Sequence, residues 1–200
     1  MSSRRPTKKQ LPTGEEPRRG FETLVKKDKN EPFKVGFVML SHLSSTEKAE
    51  IEMLREKSLG LVRNYTGLSN EPLSLEKETR VIAGVDEADQ MFALAYLNKM
   101  LAGYALITTG WPAVGEWVIQ HMIIDPDLRH RGIGSAIVKS IEQHALESSV
   151  AADAIRAIPV QESGRSFWQD IGYTVEAGVF PLTVDDVDHE VVVYKKILPA

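Results

Sequence analysis

Ile119-Gln-His-Met-Ile-Ile-Asp-Pro-Asp-Leu-Arg-His-Arg-Gly-Ile-Gly-Ser135 reads as a strand, a turn and the opening of a helix. Pro126 lacks a donor and biases Asp125 to extended geometry, so the strand that starts at Glu116 stops at Ile124. The turn carries Arg129, His130 and Arg131. Gly132 and Gly134 then open a helix that runs to about Ser148, with Ile137, Val138, Ile141 and Ala145 on one face. Backbone N–H groups at a helix start have no intrahelical partner and sit at the positive end of its dipole, which suits a phosphate. Glycines let the main chain approach such an anion without a Cβ in between. The plain alternative is a capped surface helix that holds no ligand.

Other phosphate and hydrolase motifs fail on spacing. A dinucleotide fingerprint requires Gly or Ala three places after its second glycine, where Ile137 stands. The chain contains no G-K-[ST] triplet, no H-E-x-x-H and no G-x-S-x-G. His42, His144 and His189 form no ligand spacing, so no metal is expected.

Working outward, Val35 to Leu40 is an apolar run suited to a first strand. Ser44 and Glu47 have capping-box spacing ahead of a helix. A second helix is expected over 74–83, closed by Gly84. Phe92–Leu97, the Asn98-Lys99 break and Leu101–Thr109 predict a hairpin. Ala154–Val160 reads as a strand, Ser163–Ile171 as a short helix and Glu190–Ile197 as a last strand. Alternating strands and helices after a meander predict an α/β (α+β) domain: a mixed, mostly antiparallel sheet with helices packed on both faces.

Residues 1–31 carry a net charge of +4 and three prolines, and residues 32–200 carry −8. The first segment is expected to be a disordered basic tail and 32–200 one domain. A nucleic-acid role for the tail is disfavoured, because it lacks interleaved aromatics and the body is acidic. With no cysteine, disulfides, thiolate metal sites and an acyl-cysteine intermediate are excluded. No stretch approaches a membrane helix and no h-region follows the basic start, so the cytoplasm is the expected location.

Arg129-His-Arg-Gly-Ile-Gly134 resembles the [QR]-x-x-G-x-[GA] pyrophosphate loop of the GNAT acetyltransferases. Ile124-Asp-Pro126 is similar to that family's V-x-P at the end of its fourth strand. Phe167-Trp-Gln-Asp-Ile-Gly-Tyr173 is similar to its aromatic–x–x–x–G–F element, and Gly103-Tyr104 to the Gly-aromatic pair of its third strand. The resemblance is firm over roughly 91–180. It implies a splay between the fourth and fifth strands that admits acetyl-CoA as cosubstrate. The main chain of Met122, Ile123 and Ile124 would hold the pantetheine arm, and Arg129, His130, Arg131, Gly132, Ile133, Gly134 and Ser135 the pyrophosphate. Pro159, which cannot donate to a ladder, would then face the splay.

The implied reaction is transfer of an acetyl group to a primary amine, of a small molecule or a protein, by direct attack. Strand alternation puts Glu116, Val118, Gln120, Met122 and Ile124 on one face. The resemblance implies a base from the cleft-facing side of this strand, which makes Glu116, the carboxylate there, the candidate base, against the alternative of a solvated strand-edge glutamate, with Gln120 a candidate for orienting its water. The same parity puts His121 on the other face, as a histidine in the core or against a helix. The family's frequent tyrosine acid falls at Trp168, whose indole cannot donate a proton near pH 7, so Trp168 is expected to pack on the pantetheine arm or in the core. Its frequent asparagine falls at Gln161, a cofactor contact by resemblance. The missing tyrosine motivates a second reading, a degenerate domain that binds acyl-CoA as a sensor or scaffold. A homodimer agrees with the resemblance; the acceptor is not legible.

Overall fold

A computed structural model describes residues 23–25, 33–58, 74–79, 85–159, 162–176, 180–184 and 187–199. Ser44 caps helix α1 (Ser45–Lys57) as its spacing predicts: its Oγ accepts from the Glu47 N–H at 3.2 Å, and its own N–H donates to Glu47 Oε2 at 2.9 Å. Two orphan donors are thereby satisfied reciprocally. Of the second expected helix, one turn is described, α2 (Leu75–Glu78); residues 80–84 lie outside the described residues.

The sheet has eight strands: β1 (Thr23–Val25), β2 (Phe33–Met39), β3 (Gln90–Leu97), β4 (Met100–Thr109), β5 (Glu116–Ile124), β6 (Ala154–Ala157), then β10 (Tyr194–Ile197) and β7 (Thr174–Val175). All neighbours are antiparallel except β5 and β6. That parallel step is made by helix α3 (Ile133–Glu147), which crosses between the two strands. Asn98 and Lys99, both at positive φ, form the two-residue turn of the β3–β4 hairpin.

Two apolar layers flank the sheet. On one face α1 buries Ile51 and Leu54 against Phe92, Leu94, Tyr104 and Leu106. On the other, α3 buries Ile137, Val138 and Ile141 against Trp117, Ile119, Ile107 and the small Ala93, Ala95 and Ala105, which leave room for the helix.

Three expectations are corrected. The strand expected over 154–160 pairs only to Ala157, and the last strand is two: β9 (Val187–Val191), which pairs with β8 (Phe180–Val184) as a separate hairpin, and β10. Within the expected tail, Thr23–Val25 pair with Val35–Phe33 as an edge strand; the rest of 1–31 lies outside the described residues.

Candidate active site

β5 and β6 run together only briefly. Glu116 to Ile119 pair with Ala154 to Ala157, and the Ile158 N–H still donates to the Ile119 carbonyl at 3.3 Å. Beyond that point Pro159 offers no donor and the strands part, while β5 remains paired with β4 as far as Ile124 opposite Gly103. Gly103 allows this close pairing: a Cβ there would lie 2.7 Å from Ile124 Cδ1 and 3.0 Å from the Ile123 carbonyl. The resulting fork opens into a cleft of about 740 Å³. Met122, Ile124, Gly134, Pro159, Phe167 and Trp168 are among the residues that line it.

The turn that follows β5 leads to one end of this cleft. Asp125 accepts from the Asp127 N–H at 3.0 Å, and Lys57 of α1 bonds both carboxylates at 2.7 Å. His130 (φ 60°) and Gly132 (φ 83°) both sit in the left-handed region, which turns the chain sharply into α3. No side chain caps α3, so its first-turn N–H groups are not consumed by a capping residue. Arg129, His130, Gly132, Ile133, Gly134 and Ser135 all line the cleft; Arg131 is exposed beside it. Gly134 is packed tightly, since a Cβ would stand 3.3 Å from Phe167 and 3.4 Å from Met122. An unblocked helix start flanked by two arginines fits a pyrophosphate.

The expected parity of β5 is overturned. Ile119 pairs with Ile107 and His121 with Leu106, so Gln120 is an extra residue, a β-bulge. The bulge inverts the alternation: Trp117 and Ile119 before it, and Met122 and Ile124 after it, all face α3. Glu116, Val118, Gln120 and His121 face the other way. Glu116 therefore does not share the face of Met122. Its carboxylate pairs with Arg156 of β6 and, at 2.8 Å, with Lys195 of β10. Arg156 also binds Glu176 at 2.6 and 2.8 Å. Two carboxylates and two cations thus neutralise one another at the base of the seam.

Gln120 is buried and donates from Nε2 to Thr108 Oγ1. His121 is 5% exposed yet lines the cleft. Its ring meets Tyr104 edge-on at 5.5 Å, and the Tyr104 hydroxyl accepts from Arg55 at 3.4 Å. Burial, and then the charge of Arg55, push the His121 imidazole down to about 3, so it is neutral near pH 7. His121 faces away from Met122 and is buried against Tyr104, as the sequence leads one to expect; that this position also borders the cleft follows from where β5 parts from β6. Trp168 packs in the core against Tyr173, at 5.0 Å between rings, while bordering the cleft. Gln161 lies outside the described residues. Among the described residues no three metal-ligating side chains cluster, and no helix is long and apolar enough to cross a membrane.

Among curated proteins none matches the chain in sequence. Solved structures do share its fold. The GNAT domain of S. lividans PAT superposes with a TM-score of 0.64 at 16% identity, covering 88% of this chain and 97% of that one. An acetyltransferase from Thermus thermophilus gives 0.57 at 14% identity, covering 82% and 97%. The ribosomal-protein-S18-alanine N-acetyltransferase from Escherichia coli gives 0.55 at 12%, covering 83% and 96%. Identities this low speak to architecture alone. The sequence model of the acetyltransferase (GNAT) family, however, matches residues 60–173, more than half of the length and the span that holds the fork, the turn and α3. On that match the chain belongs to the GNAT acetyltransferase family.

Proposed function

We propose that this protein transfers the acetyl group of acetyl-CoA to a primary amine by direct attack. The fork carries the reading: β5 leaves β6 at Ile119, and the cleft so opened runs to the uncapped start of α3. In this assignment the main chain of Met122, Ile123 and Ile124 pairs with the pantetheine arm as an added strand would. The first-turn N–H groups at Ile133, Gly134 and Ser135 receive the pyrophosphate, with Arg129 and Arg131 supplying countercharge. Acetyl-CoA brings the activated thioester.

The amine lone pair forms a bond to the thioester carbonyl carbon, the C–S bond breaks, and the amine proton passes by way of water to the departing thiolate. The products are the N-acetyl amide and CoA thiol. Backbone N–H groups at the fork would stabilise the oxyanion. Gln120 is not carried forward as the water-orienting residue, because it is buried against Thr108 and is not among the residues that line the cleft. Glu116 is not carried forward as the base, because its carboxylate is committed to Arg156 and Lys195.

Thiol release from acetyl-CoA in the presence of an amine panel tests the reading, with CoA binding measured alongside by calorimetry. Binding without release for every amine would favour an acyl-CoA sensor instead.

A further inference from the structure

Helix α1 ends on Lys57, and that last residue reaches the turn that leads into α3 on the other face of the sheet. Its Nζ stands 2.7 Å from Asp125 Oδ1, 2.9 Å from Asp125 Oδ2 and 2.7 Å from Asp127 Oδ2. The helix dipole also favours a cation at this place. Asp125 is the residue at which β5 stops. Its N–H donates to the Ala102 carbonyl of β4 at 2.9 Å, and its Oδ1 caps the single turn Pro126–Leu128 by accepting from the Asp127 N–H at 3.0 Å. The chain then passes to Arg129, whose Nε donates to the Ile124 carbonyl at 3.4 Å, and to His130 and Gly132 in the left-handed region. One lysine from the layer opposite α3 thus holds both carboxylates at the entrance to the anion-binding turn. Hydrogen bonds to Asp125 and then Asp127 raise the Lys57 ammonium above its ordinary range, and the bond from Lys57 lowers the Asp127 carboxyl. Lys57 and Asp127 are therefore ionised at neutral pH.

With Lys57 44% and Asp127 76% exposed, the outer half of this bracket adds little to stability. Its placement bears on the site instead. A pyrophosphate at the start of α3 would share the turn with the carboxylates of Asp125 and Asp127, and each repels it. Removing Lys57 changes the field at the turn by a full charge, whatever else surrounds it. We propose that Lys57 sets acetyl-CoA affinity from the opposite side of the sheet, as a positioning residue that offsets Asp125 and Asp127 beside the pyrophosphate. The inference rests on the assignment of the pyrophosphate to this turn. Charge gives it a sign. Lys57→Met takes the ammonium from both carboxylates and should weaken CoA binding. Asp127→Asn removes one carboxylate, leaves the Asp125 cap in place, and should tighten it. A bracket that merely held the turn in shape would be loosened by either substitution, and both would weaken CoA.

The experiment measures CoA binding to the full chain by calorimetry, in about 20 mM and about 0.5 M KCl, which bracket weak and strong screening. At separations on the order of 10 Å in water-like surroundings, one unit charge changes the affinity of a dianion about two- to fivefold at low salt. Lys57→Met should lose that factor, Asp127→Asn should gain it, and the double variant should return close to wild type. Lys57→Arg should keep wild-type affinity, and the differences should shrink toward none at high salt. In steady state the loss in Lys57→Met should appear in the KM for acetyl-CoA rather than in kcat. Unchanged affinity in Lys57→Met at low salt, weakening in Asp127→Asn, or a loss that salt does not diminish would each overturn the inference. Asp127→Asn, at an exposed position, keeps the test open if Lys57→Met does not fold. Gly132→Asp separates the two readings. Weaker CoA binding there beside an unaffected Lys57→Met would leave the pyrophosphate in the turn and remove only the role of Lys57. Equal CoA binding by wild type and Gly132→Asp, or none by wild type, would remove the pyrophosphate assignment and the inference with it.

Discussion

Glu116 and Arg156 form an ion pair across the parallel seam of β5 and β6, and each is held from a second side, Glu116 by Lys195 and Arg156 by Glu176. The side chains of the central pair are 17% and 8% exposed. A pair this sheltered leaves an uncompensated charge when one partner is removed. Glu116→Gln should therefore act on stability, lowering the unfolding free energy by about 1.5–3 kcal/mol in urea titration. The kcat for a good amine should stay within about threefold of wild type. A drop of 10²-fold or more, the size of a lost general base, would return Glu116 to the mechanism.

The same cluster sets an acid limit. Arg156 beside Glu176 holds that carboxyl below its usual range. A depressed folded pKa contributes stability that is present above the unfolded value of about 4.3 and is lost as pH falls through the folded value. Glu176→Gln should flatten the stability profile below about pH 4.3 and lower its neutral plateau. Identical acid midpoints for the two proteins would contradict the assignment.

Gly132 and Gly134 give the cofactor prediction. Gly132 stands at φ 83°, where a side chain is strained, and Asp there also brings a like charge to the anion. Gly132→Asp should weaken CoA binding at least about tenfold by calorimetry, since charge-assisted hydrogen bonds are lost. A folded variant that binds CoA like wild type would remove the pyrophosphate from this turn.

Local chemistry made much of this legible. Ser44 and Glu47 carry a capping box in four residues, Asn98-Lys99 interrupts two alternating runs, and Pro126 ends β5 where its geometry requires. The bulge at Gln120 escaped because nothing in Ile119-Gln-His-Met122 marks it. It is set by which β4 residues sit opposite, Ile107 and then Leu106. One extra residue moved Glu116 to the face opposite Met122, and with it went the candidate base; His121 keeps its expected place away from Met122. The ion cluster was hidden for a related reason: its members come from β5, β6, the end of β7 and β10, and only the sheet order brings them together.

Edge strand β1 separates two truncations that composition alone would treat alike. Removing residues 1–22 leaves Thr23–Val25 paired with Phe33–Val35, so melting temperature and CoA affinity should be unchanged. Removing 1–32 strips that strand and exposes the edge of β2, which should lower the melting temperature and promote association. Equal behaviour of the two proteins would mean that β1 contributes nothing measurable.

His121 provides the last and sharpest test, because its burial has a sign. The folded imidazole is pushed down to about 3, first by loss of water and then by Arg55, whereas in the unfolded chain it titrates near its ordinary 6.5. Between those values the unfolded state binds the extra proton, so stability must rise with pH across that window, by up to about 1.4 kcal/mol per unit. Above pH 6.5 both states are neutral and the contribution is flat. His121→Gln keeps a polar, hydrogen-bonding side chain and cannot titrate. The slope between about pH 4.5 and 6.5, above the range where Glu176 acts, should shrink in the variant. Activity at pH 7 should survive better in His121→Gln than in His121→Leu, which removes the polar group from the cleft wall. The acidic limb of kcat/KM should be the same in His121→Gln and wild type, because a neutral imidazole does not generate it. A limb that disappears in His121→Gln would make His121 the titrating base, with burial and Arg55 together too weak to keep it neutral.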